Sequence, residues 1–191
     1  MPREISISRT TRETDIRINL NIDGTGKGNI DTKIGFFNHL LISFTLYSRF
    51  DIELTANGDL DVDGHHLCED VGIVLGSALN KALGDFKIAR FGYSITPMDD
   101  ALIISSIDIS GRPYFETNDL FTDSFIGTFQ TEWLIEFLKA FAMNSKMTLH
   151  ILKLRGNNSH HTAECLMKSL GLSLREAVKK TDDILSTKGV L

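Results

Sequence analysis

Six histidines punctuate this chain: His39, His65, His66, His150, His160 and His161. Four of them build two copies of one motif, HHLCE at 65–69 and HHTAE at 160–164. On a helix, the first histidine and the glutamate of each copy lie four residues apart and share a face; His66 and Glu69, three apart, are also neighbours. Adjacent histidines diverge by about 100° at about 3.6 residues per turn, so one pair cannot easily grip a single ion. A doubled pair therefore suits two ions, each drawing ligands from both copies. Imidazole with carboxylate suits first-row divalent metals, and the chain has no thiolate-rich set of the structural-zinc kind. The bland alternative, histidines that merely decorate helix starts, fits one pair better than two pairs with matched carboxylates. His65, His66, Glu69, His160, His161 and Glu164 are the resulting candidate ligands.

The motifs belong to a larger repeat. An LG dipeptide follows each copy at the same offset, at 75–76 and at 170–171. A helix pattern stands at a similar distance upstream of each, carrying His39 in one case and Glu136 in the other. Alone, His39 reads as a core histidine and Glu136 as a solvated helix face; their places in the repeat add both to the ligand set. Matched spacing of this kind marks internal duplication. The expectation is one domain of two duplicated halves, about 1–90 and 91–191. Two copies are too few for a solenoid and imply a pseudo-twofold α+β domain, with sheets packed on a helical layer.

Periodicity supplies the elements that must hold these side chains. Residues 14–22, 51–57, 101–110 and 147–154 read as strands, and 36–47, 69–83, 133–143 and 162–180 as helices. His150 falls in a strand and reads as structural. DGTGKG at 23–28 resembles a phosphate loop, but no helix pattern opens after it, so a hairpin turn is expected. Cys68 and Cys165 read as small buried residues without chemistry.

Composition sets outer limits. A chain of 191 residues with 42% apolar content can bury a sizeable core. The net charge of −5 argues against nucleic acid as the main partner, while leaving room for a local basic pocket around one phosphate. Two lone thiols fit a reducing compartment. The opening MPREISISRTTRETD lacks a signal-peptide core and no apolar run is long enough to span a membrane, so a cytoplasmic location is expected.

Seven segments then point one way: GFFNHLL (35–41), DVDGHHLCED (61–70), RFG (90–92), PMDDAL (97–102), DISGRPY (108–114), NSHHTAE (158–164) and STKGVL (186–191). In this order they resemble the signatures of the imidazoleglycerol-phosphate dehydratases, over nearly the whole chain. The resemblance implies two halves of the ribosomal protein S5 domain 2-like fold. It implies dehydration of D-erythro-imidazoleglycerol phosphate to imidazole acetol phosphate in histidine biosynthesis, at a site with two manganese ions that activate the substrate imidazole. It also implies a homo-oligomer of 24 subunits built from trimers. Catalytic roles would fall to Glu13, Asp99, His66 and Glu164, with Glu13 as acid/base and Asp99 near the substrate ring. Phosphate would be held by Arg90, Arg112, Lys168, Thr187 and Lys188. Departures from the common pattern occur at Asn38, Ser43, Tyr47, Ser48, Gly64, Glu136 and Asn157. Two rivals stand beside this reading: a dimetal phosphoester hydrolase, and a non-catalytic metal-dependent assembly protein.

Overall fold

A computed structural model describes residues 3–183. The first half runs β1 (Glu4–Thr10), β2 (Thr14–Asn21), β3 (Gly28–Asp31), α1 (Gly35–Ser48), β4 (Asp51–Gly58) and α2 (His65–Leu83). The second runs β5 (Phe91–Met98), β6 (Ala101–Asp108), β7 (Tyr114–Thr117), the short pair β8 (Phe125–Ile126) and β9 (Phe129–Gln130), α3 (Thr131–Ser145), β10 (Thr148–Arg155) and α4 (Ser159–Ala177). The sheets have the same topology, β1-β2-β4-β3 and β5-β6-β10-β7, each with its last strand parallel to its neighbour. Among the described residues the β8–β9 pair has no counterpart in the first half.

Alternation explains the sheets. Ile16, Ile18 and Leu20 of β2 point inward with Ile52, Leu54 and Ala56 of β4, and Ile103, Ile107, Leu149 and Ile151 do the same in the second sheet. Between the sheets lie the four helices, with α1 against α4 and α2 against α3, so each helix pair joins one half to the other. The LG glycines make these crossings close. A Cβ on Gly76 would lie 2.5 Å from the carbonyl oxygen of Phe141 on α3, and one on Gly171 would lie 3.0 Å from that of Phe44 on α1. The shared spacing of LG and HHxxE in the sequence is thus a shared packing device that fixes how far each histidine pair stands from the facing helix.

Three expectations need correction. The helices bearing the twin motifs begin earlier than 69 and 162. Asp63 Oδ1 accepts the His65 N–H at 2.8 Å, and Asn158 Oδ1 accepts those of His160 and His161 at 2.9 and 3.2 Å. The Asn158 cap and the Asp63 contact just before the N-cap Gly64 draw the histidines into the first turn. At its other end α4 stops at Ala177 rather than 180, because Lys179 and Lys180 pair with Ala89 and Ile88. Finally, 23–28 is not a hairpin: β2 and β3 are not partners, since β4 lies between them. The loop instead wraps Asp51, whose Oδ1 accepts the backbone N–H groups of Thr25, Gly26 and Lys27 at 2.8, 3.0 and 2.8 Å. Its amides hold a carboxylate of the same chain.

Candidate metal centre

Helices α1 and α4 bring His39, His160 and Glu164 together. His39 Nε2 lies 2.9 Å and His160 Nε2 2.8 Å from Glu164 Oε1. Among the described residues this is the group of His, Cys, Asp and Glu donors that converges closely enough to hold one ion. Ligands at roughly 2.1 Å from a metal stand about 3 Å from one another, as these atoms do. Burial pushes the Glu164 carboxyl up, but hydrogen bonds from His39, Lys168 and His160 outweigh it and hold the group down at about 2. The donor chemistry, two imidazole nitrogens and an ionised carboxylate, fits a first-row divalent ion. Both thiols lie apart from it: Cys68 and Cys165 are buried, burial raises each, and Cys165 donates to the Thr96 carbonyl.

His160 follows the expected geometry, sharing a face with the glutamate four residues on, and its partner His39 comes from the other half. His161 diverges: its Nδ1 lies 2.7 Å from Asp100 Oδ1 and its Nε2 3.7 Å from Asp99 Oδ2. His66 is placed likewise, with Nδ1 3.0 Å from Asp59 Oδ2 and 4.0 Å from Glu13 Oε2. The hydrogen bond to Asp59 is the main reason that the His66 imidazole is held above its usual range. Glu13 and Asp99 occupy corresponding turns, β1–β2 and β5–β6, so the fold sets one carboxylate beside the second histidine of each motif.

Other expected ligands do not gather in one chain. His65, Glu69 and Glu136 form no close donor group with one another among the described residues. Glu136 Oε2 accepts from Lys139 at 3.4 Å. The departures at Asn38 and Gly64 have local reasons. Asn38 Oδ1 accepts from the N–H and hydroxyl of Thr32 at 2.8 and 2.6 Å, anchoring the turn before His39. A Cβ on Gly64 would lie 2.6 Å from the Trp133 ring, so the glycine makes room for that ring.

The phosphate candidates divide into two places. Arg90 grips Asp108 with Nε at 2.6 Å and Nη2 at 3.0 Å, and Arg112 Nη2 lies 3.8 Å from the same carboxylate. Lys168 instead pairs with Glu164 Oε2 at 3.2 Å and Met98 Sδ at 3.1 Å, near the far end of β5 from Arg90. Thr187 and Lys188 lie outside the described residues. His150 stands on β10 with its ring 5.7 Å from that of Tyr114. Sequence reasoning missed the aspartates that hold candidate side chains: Asp59 on His66, Asp100 on His161 and Asp108 on Arg90. The doubled acid in PMDDAL was the available signal for Asp100; Asp59 and Asp108 gave none at short range.

These features define an α+β chain with a candidate metal centre between duplicated halves. Residues 32–174 match the imidazoleglycerol-phosphate dehydratase family. The imidazoleglycerol-phosphate dehydratase of Acetivibrio thermocellus is 46% identical, with 100% of both chains covered. That of a Hydrogenobaculum species is 50% identical over 99% of this chain and 100% of the relative. A crystal structure of IGPD from Pyrococcus furiosus matches with a TM-score of 0.87 at 42% identity, covering 97% of this chain and 100% of that one. The imidazoleglycerol-phosphate dehydratase structure from Staphylococcus aureus gives 0.85 at 35% identity, over 93% and 99%. The chain belongs to the imidazoleglycerol-phosphate dehydratase family, whose members are hydro-lyases.

Proposed function

We propose that this chain removes water from D-erythro-imidazoleglycerol phosphate to give imidazole acetol phosphate, as a single cytoplasmic catalytic domain of two duplicated halves, about 1–90 and 91–191. The observation that carries the reading is the convergence of His39 with His160 and Glu164 across the two halves. Family membership favours dehydration over phosphoester hydrolysis and over a purely assembling role. Among the described residues no helix is long and apolar enough to cross a membrane.

The ligand set assigned is His39, His65, His66, Glu69, Glu136, His160, His161 and Glu164, holding two manganese ions per site. A bound metal pair would draw electron density from the substrate imidazole and ease loss of its ring proton. Glu13, beside His66, moves the proton on the carbon chain, and Asp99, beside His161, orients the substrate ring. Arg90 and Arg112 offer planar forks to phosphate oxygens, with Lys168, Thr187 and Lys188 as further cations and donors.

A homo-oligomer of 24 subunits built from trimers is part of this reading. Two observations support assembly. Phe91, Tyr93 and Ile95 of β5 and Tyr114 of β7 stand exposed on the second sheet, an apolar surface of the kind that marks an interface. Arg90 and Lys168 stand at opposite ends of β5, about 25 Å of strand apart, so among the described residues one chain does not gather these two cations into one pocket. Metal bound by ligands from neighbouring chains would stabilise the particle.

The direct test is to add imidazoleglycerol phosphate and Mn2+ and follow the ketone product. Ketone without released inorganic phosphate is expected; phosphate release without ketone identifies a hydrolase. Light scattering with and without chelator tests the assembly.

A further inference from the structure

The second histidine of each motif is tethered in the same manner. His66 Nδ1 meets Asp59 Oδ2 at 3.0 Å, and His161 Nδ1 meets Asp100 Oδ1 at 2.7 Å. The repeat does not account for this likeness. Asp59 directly follows β4, whereas Asp100 sits in the β5–β6 turn. Two different segments of the fold converge on one contact.

Each aspartate is itself held in place. Asp100 Oδ2 accepts the N–H groups of Asn157 and Asn158 at 2.7 and 3.1 Å, leaving Oδ1 for the imidazole. Asp59 donates its backbone N–H to the Glu13 carbonyl at 3.1 Å and accepts that of Val62 at 2.8 Å. Its Oδ1 is buried with no hydrogen-bond partner among the described residues, so no other donor competes with His66.

An ionised carboxylate only accepts, so Nδ1 of each ring must carry the proton and donate it. Nε2, on the far side of the ring, then keeps its lone pair; at His161 it lies 3.7 Å from Asp99 Oδ2, beyond hydrogen-bond distance. His39 and His160 use their rings the other way round, turning Nε2 to Glu164. We propose that Asp59 and Asp100 are positioning residues that lock His66 and His161 in the Nδ1–H tautomer and aim a bare Nε2 from each at a divalent cation. The inference rests on the functional reading in which these histidines are ligands. A carboxylate behind a ligating imidazole fixes its tautomer and orientation and raises its basicity.

The test uses the full chain stripped of metal and titrated with Mn2+, following the electron paramagnetic resonance signal of the free ion. Asp59→Ala and Asp100→Ala are each expected to weaken Mn2+ binding about 10- to 100-fold. Asp59→Asn is expected to stay close to wild type, because the carboxamide oxygen still accepts from Nδ1–H. Unchanged affinity in both alanine variants, or an Asp59→Asn variant that binds as weakly as Asp59→Ala, overturns the inference. Nitrogen-15 NMR of labelled histidines in the wild-type, metal-free protein above the imidazole pKa checks it without reliance on a variant that fails to fold. Nδ1–H tautomers are expected for both rings, assigned with His66→Gln and His161→Gln, and an Nε2–H tautomer at either overturns it. Wild-type protein that binds no Mn2+ removes the functional reading and this inference together; wild-type binding with unaffected alanine variants removes this inference alone.

Discussion

His39 Nε2 stands 2.9 Å from Glu164 Oε1 across 125 residues of sequence and between opposite halves of the fold. The carboxylate joins three partners: two imidazoles on one oxygen and the Lys168 ammonium on the other. Glu164→Gln keeps the shape but removes the anionic donor. Elemental analysis after gentle purification is expected to show the loss of about one metal equivalent per chain. Wild-type metal content in this variant would falsify the ligand assignment.

Glu13 Oε2 lies 4.0 Å from His66 Nδ1 and outside the His39 group, and the proposed reaction gives it the proton transfer. Glu13→Gln is expected to lower kcat about 10²- to 10⁴-fold while Mn2+ content stays unchanged. A fall of less than about threefold, below the range of general acid–base groups, removes Glu13 from the reaction.

Arg112 is two-thirds exposed, while Arg90 is mostly covered and held by Asp108. The freer arginine therefore has the reach to meet a phosphate. Arg112→Ala removes a charged hydrogen bond of about 1.5–3 kcal/mol, roughly 10- to 100-fold in affinity. KM for the substrate and the inhibition constant of inorganic phosphate are expected to rise together. If KM rises while phosphate inhibition holds, Arg112 acts elsewhere on the substrate.

Asp23 ties the two halves at the end remote from the histidines. It accepts from Arg3 Nη2 at 2.6 Å and from Lys180 at 3.0 Å, while Arg3 Nη1 donates to the Val178 carbonyl at 2.7 Å. The Arg3 hydrogen bond is the main cause holding the Asp23 carboxyl well below its ordinary value of 3.8. A depressed carboxyl contributes stability above its unfolded pKa and loses that contribution as pH falls through the folded one. Asp23→Asn is expected to cost about 1–2 kcal/mol at neutral pH, discounted for partial exposure. Urea midpoints should show this gap closing as the pH drops below 3.8. A gap that does not vary with pH points to packing instead of charge.

Gly76 and Gly171 hold the helix crossings that fix the spacing of the two halves. Alanine at either position overpacks a backbone contact, at a cost of about 1–3 kcal/mol. Denaturant midpoints are expected to fall for each variant, and a neutral Gly76→Ala would mean that α3 can retreat from α2.

Much of this molecule was set by local spacing. The period of the helix puts His160 and Glu164 on one face and turns His161 away from them, whatever the rest of the chain does. Duplication was legible because HHxxE and LG recur at one offset, and identical sheet orders followed from it. What the tertiary structure decided were contacts between segments far apart in sequence. That His39 meets Glu164 depends on α1 crossing α4 at Gly171. That Asp59 and Asp100 tether His66 and His161 depends on where β4 and the β5–β6 turn end. Lys168 stands with Glu164 rather than with Arg90 because helix and strand carry them to opposite ends of β5. The amides of Thr25, Gly26 and Lys27 close on Asp51 because β4 inserts between β2 and β3. Periodicity fixes which face a side chain occupies, since that follows from the backbone's own rotation per residue. Which partner waits there is fixed only by strand order and helix crossing, which the whole core selects at once.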